Sequence, residues 1–336
     1  MVRTSRPSSF RTYTAGFGYM NSILSAAAKN GVAVPCVNMN ATQFILSYPR
    51  GAYTSARTVQ RYKIFDYDHH IRRLAKSTAG MQLERAPLDF ESKLEPFLRE
   101  QVPKTLRAAM QEFQKIFQDS LSPSQEYKLT ILICTSATTT PEFPLDVVCH
   151  VGLLPSLDKK FVKLRIVGKP RVNGDLKDSQ WIRERQAIYE ALSDDVEEIL
   201  LMDPKTLKIY EGSQTNFYAI QDDKIHTADE GILNGTVRSL ILEECQKHSI
   251  PFVLEAPCLT SIASWDACFI SSTSRLVLGV NSIEYPQMMS DTEEVKWLPA
   301  DFDANFHLLD RIRELVQTQF ASKSTPIFAS TDFAPL

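Results

Sequence analysis

The stretch KIYEGSQTNFYAIQDDKIHTADEGILNGTVRSLIL, residues 208–242, shows the plan of the chain's second half in miniature. From Tyr210 to Thr227 the pattern is that of a hairpin turning at Asp222-Asp223, a pair of turn-forming residues between two apolar runs. Beyond it Gly235 opens a helix to Lys247, whose apolar face is Val237, Leu240, Ile241 and Cys245. A strand thus leads into a helix start whose free backbone N–H groups suit an anion.

Working outward, we expect a strand at Val162–Val167, a helix at Ser179–Leu192 and a strand at Glu198–Met202 before the hairpin. Strands at Phe252–Leu254 and Ala267–Ser271 and an amphipathic helix at Asn305–Phe320 follow it. Toward the N-terminus, Thr42 to Ile64 reads as strand with turn residues Pro49, Arg50 and Gly51. Asp66 or Asp68 reads as the N-cap of a helix through His70 to Lys76. Apolar residues at helical spacing from Phe90 to Phe117 predict two helices broken near Pro103. Tyr127–Cys134 and Asp146–Gly152 read as strands.

At 336 residues the chain has room for two cores. The expected division is an extension at 1–30, an α+β domain at 31–153, a linker at 154–160 and a larger α/β domain at 161–336. Lys+Arg 37 against Asp+Glu 40 leaves a net charge of -3, which gives no polyanion-binding surface, so nucleic acid is not an expected partner. No run of about 18 apolar residues is present to span a membrane as a helix. Six cysteines without a Cys-x-x-Cys pair read as reduced thiols of an intracellular protein. No acidic residue precedes Asp66, and the arginine- and serine-rich opening segment suits either an organelle transit peptide or a disordered cytosolic tail.

There is no Walker loop, no Gly-x-Ser-x-Gly elbow and no His-Glu-x-x-His. The adjacent His69 and His70 read as solvated residues on an exposed helix face. What stands out is an ordered set: Arg73, Lys177, Glu211, Gly235-Thr236-Val237-Arg238 and Ser272-Thr273. The segments around them are GAYTSARTV…IFDYDHHIRRL, GDLKDSQWIRERQAIYEAL, KIYEGSQTNFYAI, GILNGTVRSLIL and FISSTSR. In this order they resemble the class IV aminotransferases, the family of branched-chain and D-amino acid aminotransferases and 4-amino-4-deoxychorismate lyase. The resemblance runs from about Gly31 to Phe320, and EGSQTNF and ILNGTVR are its most specific pieces.

That resemblance implies an α+β, two-domain fold of the pyridoxal-phosphate (PLP) fold type IV and a homodimer. It implies Lys177 as the imine-forming lysine, Glu211 beside the cofactor's ring nitrogen, and a phosphate site made of Arg73, Gly235, Thr236, Val237, Ser272 and Thr273. The residue types suit these tasks: an enclosed lysine loses proton affinity and becomes a nucleophile, and a carboxylate keeps a ring nitrogen protonated. Outside such a setting Lys177, beside Asp178 and Ser179, would be a surface residue, Glu211 a strand-end carboxylate and Arg73 a helix-surface charge. Tyr53 and Arg57 are the candidates for a substrate carboxylate; Arg57 could instead bridge to Asp66.

The chain departs from the family where an Asn-Tyr pair often follows the lysine. Trp181-Ile182 stands there, which leaves the cofactor's phenolic oxygen without an assigned partner. The leading expectation is transamination between an amino acid and a 2-oxo acid, with a 4-amino-4-deoxychorismate lyase type of β-elimination as the alternative. A catalytically silent scaffold is the alternative of another class.

Overall fold

The architecture is that of a computed structural model describing residues 23–36, 38–81, 90–117, 121–122, 124–136, 144–155, 161–287, 296–303 and 305–329. Residues 156–160 of the expected linker at 154–160 and most of the expected extension at 1–30, residues 1–22, lie outside the described residues.

In the first half the elements are β1 (Ser25–Lys29), β2 (Val32–Val34), α1 (Ala41–Leu46), β3 (Gly51–Val59), β4 (Lys63–Phe65), α2 (Tyr67–Gly80), α3 (Phe90–Phe117), β5 (Tyr127–Thr135) and β6 (Leu145–Leu153). The second half follows with β7 (Phe161–Ile166), α4 (Gln180–Glu190), β8 (Val196–Met202), β9 (Ile209–Gly212), β10 (Asn216–Gln221), β11 (Lys224–His226), α5 (Thr236–Lys247), β12 (Phe252–Val253), β13 (Ala267–Ser272), β14 (Leu276–Pro286), β15 (Trp297–Asp301), α6 (His307–Ser322) and β16 (Ser324–Pro326).

The first sheet runs β16-β4-β3-β5-β6-β1-β2, with every pair antiparallel. Because side chains alternate, its two faces differ. Ala56, Leu129, Ile131, Ile133, Val147 and Cys149 point to one face and pack under α2 and α3 in a single apolar core. The other face carries Tyr53, Arg57, Lys128, Thr130 and His150, with Arg57 directly opposite Lys128 and Thr130 opposite His150. The second sheet runs β12-β11-β10-β13-β14-β7-β8-β9, and β9 pairs back to β10 through Glu211 and Asn216, curling the sheet on itself. Val162, Leu164, Leu200, Phe217 and Ile270 belong to one core of this sheet, while α5 and α6 cover a second. Parallel pairing of β7 with β14 and β8 makes the sheet mixed.

Several expectations change. Thr42–Leu46 is helical rather than extended, because Asn40 and Gln43 form a reciprocal capping box at 2.9 Å each way that starts a turn. Phe90–Phe117 is one helix containing Pro96 and Pro103. Its buried stripe of Leu94, Leu98, Val102, Leu106, Met110 and Phe113 outweighs the missing N–H of each proline, which costs roughly 3 kcal/mol. Ser25–Lys29, within the expected extension, is a buried strand on β6. At the other end β16 crosses back to pair with β4 in the first sheet. Asp66 occupies the N-cap position of α2 in a left-handed conformation, φ 46°, and its side chain caps nothing. His70 is fully buried, not solvated, because α2 packs that face onto β3. The Asp222-Asp223 turn forms as read, both residues with positive φ, the twist that a tight hairpin needs.

Candidate active site

Lys177 belongs to no long element; the edge of β3 holds it. Tyr53 N–H donates to Lys177 O at 2.9 Å, Gly51 N–H to Ser179 Oγ at 3.0 Å, and Ser179 N–H to Gly51 O at 2.9 Å. From the other side Lys177 N–H donates to Ser77 Oγ of α2 at 3.0 Å. Arg50 clamps Asp178, with Nε 2.9 Å and Nη2 2.5 Å from Oδ2. Gly174 allows the loop before the lysine to lie on the turn at Gly231, since a Cβ there would sit 2.2 Å from Gly231 O.

With its backbone pinned, Lys177 turns its ammonium over the Tyr53 ring, 5.0 Å from the centroid. Burial lowers its proton affinity first; Tyr53 opposes this, and Arg73, Arg171 and Arg185 add to it. Burial alone would push the Tyr53 phenol up, but Lys177, Arg185 and Arg171 outweigh it and leave the phenol below its ordinary value. The chain therefore brings an amine that gives up its proton readily beside a phenol that ionises readily.

Glu211, on β9, is buried and gripped by Arg171, whose Nε and Nη2 donate to Oε1 at 2.8 and 2.7 Å. Its Oε2 accepts the Leu233 N–H at 3.1 Å. Burial raises the carboxyl above its usual range, and Arg171, the Leu233 N–H and Lys177 draw it back only in part. Arg171 also donates to the carbonyls of Gly174 and Leu176, so one guanidinium joins the glutamate to the lysine loop. The sequence reading missed Arg171, which lies on no amphipathic pattern and in no motif.

Arg73 is buried, and Nη2 donates to Thr54 Oγ1 at 2.6 Å while Nη1 only approaches Asn234 O at 3.5 Å. Nε finds no partner among the described residues. Burial pushes this guanidinium down to about 10. Asn234 leads into Gly235-Thr236, the start of α5, so Arg73 stands beside that helix N-terminus. Thr236 Oγ1 and Thr273 Oγ1 lie 2.8 Å apart, joining the helix start to the end of β13. A Cβ on Gly235 would meet Asn216 Oδ1 at 2.3 Å, and Asn216 in turn donates to Leu233 O at 2.7 Å. Val237 is buried in the α5 core, leaving its backbone to face the turn. Ser272 is turned into its own loop, accepting the Arg275 N–H at 3.3 Å, so Thr273 rather than Ser272 reaches Thr236.

Trp181 donates to Ser213 O at 2.7 Å, and Ile182 packs in the small core that includes Tyr53. Neither supplies a hydroxyl near Lys177; Tyr53 does, from β3. Arg57 forms no bridge to Asp66 among the described residues and instead lies 4.8 Å from the Phe320 ring centroid, with buried Nε and Nη1 unpartnered.

A desolvated lysine, a buried glutamate and an arginine with unspent donors at a helix start are an arrangement suited to an anionic aldehyde cofactor. The fold matches known aminotransferase structures at low identity. A branched-chain aminotransferase from Thermoproteus uzoniensis with norvaline aligns at 15% identity and TM-score 0.63, covering 92% of this chain and 100% of that one. The branched-chain amino acid aminotransferase of Escherichia coli aligns at 16% and 0.57, covering 88% and 94%. An aminotransferase from Brucella abortus bound to PLP aligns at 13% and 0.61, covering 90% and 100%. The sequence profile of the amino-transferase class IV family matches residues 51–283, and the chain belongs to that family. No curated protein matches the sequence. Among the described residues no helix is long and apolar enough to cross a membrane.

Proposed function

We propose that the protein is a PLP-dependent aminotransferase that moves an amino group between an amino acid and a 2-oxo acid through Lys177. The observation that carries this reading is the seating of Lys177 over Tyr53, pinned at its backbone from β3 and α2 and held toward its neutral form by burial. PLP, when bound, supplies an electrophilic carbon and an electron-accepting ring. The residues present fit it: Arg73 Nε has no partner among the described residues, and the backbone of Gly235, Thr236 and Val237 with the Thr273 hydroxyl would form a cradle for a phosphate dianion.

In this reading Lys177 Nζ is the nucleophile, and once displaced by substrate it carries a proton from the substrate's Cα. Glu211, kept close to Arg171, pairs with the ring nitrogen. Tyr53 would stand in for the tyrosine missing from the Trp181-Ile182 pair as the hydroxyl that meets the cofactor's phenolic oxygen. The buried face of the first sheet, with Arg57 opposite Lys128, receives a carboxylate of the substrate. The family supports a homodimer, which light scattering of the purified protein checks.

The lyase reading uses the same lysine and is favoured by one observation, the cationic wall at Arg57 and Lys128, which suits a substrate with more than one carboxylate. The deciding experiment adds L- and D-amino acids, and separately 4-amino-4-deoxychorismate, to PLP-loaded protein. A spectral change with formation of the matching 2-oxo acid supports the aminotransferase. Pyruvate released only from aminodeoxychorismate supports the lyase, and no change with any compound leaves a scaffold.

A further inference from the structure

Arg73 is a buried cation to which no carboxylate is bonded among the described residues, yet one edge of its guanidinium is fixed. Nη2 donates to Thr54 Oγ1 at 2.6 Å and lies 3.3 Å from His70 Nδ1, while Thr54 Oγ1 and His70 Nδ1 are themselves 2.7 Å apart. Thr54 comes from β3, His70 and Arg73 from α2 one turn apart, and all three are buried.

Hydrogen-bond bookkeeping sets the direction of this triangle. Arg73 has only donors, so the threonine oxygen accepts from it, and because Arg73 Nη2 also lies 3.3 Å from His70 Nδ1, that nitrogen is the acceptor and takes the threonine proton. His70 is therefore the neutral tautomer protonated at Nε2, in line with burial and the Arg73 charge driving its proton affinity well down. Nη2 is thereby occupied, whereas among the described residues Nε has no partner and Nη1 only a long contact to Asn234 O.

We propose that Thr54 and His70 are positioning residues that fix one edge of the Arg73 guanidinium, so that its remaining donors meet the phosphate of the cofactor. The inference rests on the PLP reading above. Removing the Thr54 hydroxyl frees a guanidinium to rotate, and a point charge without orientation loses the two-donor geometry that recognises phosphate. The loss is expected to fall on the phosphate, because the side-chain hydrogen bonds of Thr54 and His70 among the described residues run to each other and to Arg73, not to Lys177 or Glu211.

The test compares affinities for PLP and for pyridoxal, which lacks the phosphate, by absorption titration of the parent and four variants. Thr54→Val and His70→Phe are expected to weaken PLP about tenfold while leaving pyridoxal within about twofold, since one charge-assisted hydrogen bond is at stake. Thr54→Ser, which keeps the hydroxyl, and His70→Asn, which keeps an acceptor near the Nδ1 position, are expected to retain the parent's preference for PLP. Equal losses for both ligands, or none for either, overturn the inference. If Thr54→Val does not fold, the His70→Phe and His70→Asn pair decides it alone. A parent that binds neither compound overturns the PLP reading itself, a result distinct from an unchanged ratio in the variants.

Discussion

Arg171 holds Glu211 by two hydrogen bonds to one oxygen, Nε at 2.8 Å and Nη2 at 2.7 Å, in a pair whose side chains are both almost fully buried. A buried pair of this kind contributes little net stability but is costly to break on one side, because the remaining charge is stranded. Arg171→Met is expected to lower stability by about 3 kcal/mol, and Arg171→Met/Glu211→Gln to recover part of that loss. Urea denaturation of the two singles and the double checks this. Since Arg171 also draws the raised Glu211 proton affinity back down, the single variant should move any acid limb in the PLP absorbance upward in pH.

The Arg57–Lys128 pair faces inward across β3 and β5 with no acidic side chain bonded to either among the described residues, and burial with nearby cations pushes Lys128 down to about 8. Like charges directly opposite on a sheet cost stability unless an anion joins them. Lys128→Met is expected to raise stability by about 0.5 kcal/mol and, on the proposed aminotransferase reading, to raise KM for a dicarboxylic amino acid about tenfold and that for an aliphatic one far less. Steady-state kinetics with both amino acids, next to melting curves, read the two effects separately.

Gly235 is a glycine because of Asn216. A Cβ there would press on Asn216 Oδ1 at 2.3 Å, so Gly235→Ala should displace the start of α5, cost about 1–3 kcal/mol and weaken PLP. Asn216→Ala gives the new methyl room, so the double variant should be less damaged than the sum of the singles. PLP titration and thermal melting of the three variants test this.

His150 lies on the buried sheet face, bonded through Nε2 to Met39 O at 2.9 Å, and burial pulls it down to about 4. Its folded proton affinity lies below the unfolded value of 6.5, so between these pH values the unfolded chain binds more protons and stability rises with pH. Going from pH 7 to pH 5 should cost about 2 kcal/mol through this residue. His150→Gln should lose less over the same interval, as read from urea midpoints at the two pH values.

Much of this was legible in the order of residues. The hairpin at Asp222-Asp223, the α5 start and strands β5, β6 and β13 follow from alternation, turn chemistry and helical spacing, all local signals. What escaped depends on contacts between distant segments. Arg171 meets Glu211 forty positions along the chain, and Tyr53 meets Lys177 across the two halves. His69 and His70 both looked solvated because this face of the helix reads as exposed, yet both are turned inward, His70 onto β3 and the largely covered His69 to Asn234 O. The Phe90–Phe117 helix shows the reverse, a tertiary core carrying a helix through two prolines.

On the proposed reading Lys177 is the lysine that reacts with PLP. Borohydride reduction of PLP-treated protein, followed by peptide mass mapping, tests it with Lys177→Ala as the control. A phosphopyridoxyl group is expected on the peptide containing Lys177 and none on the variant. A label on Lys128, the other lysine on this face with weakened proton affinity, or no label on the parent would contradict it.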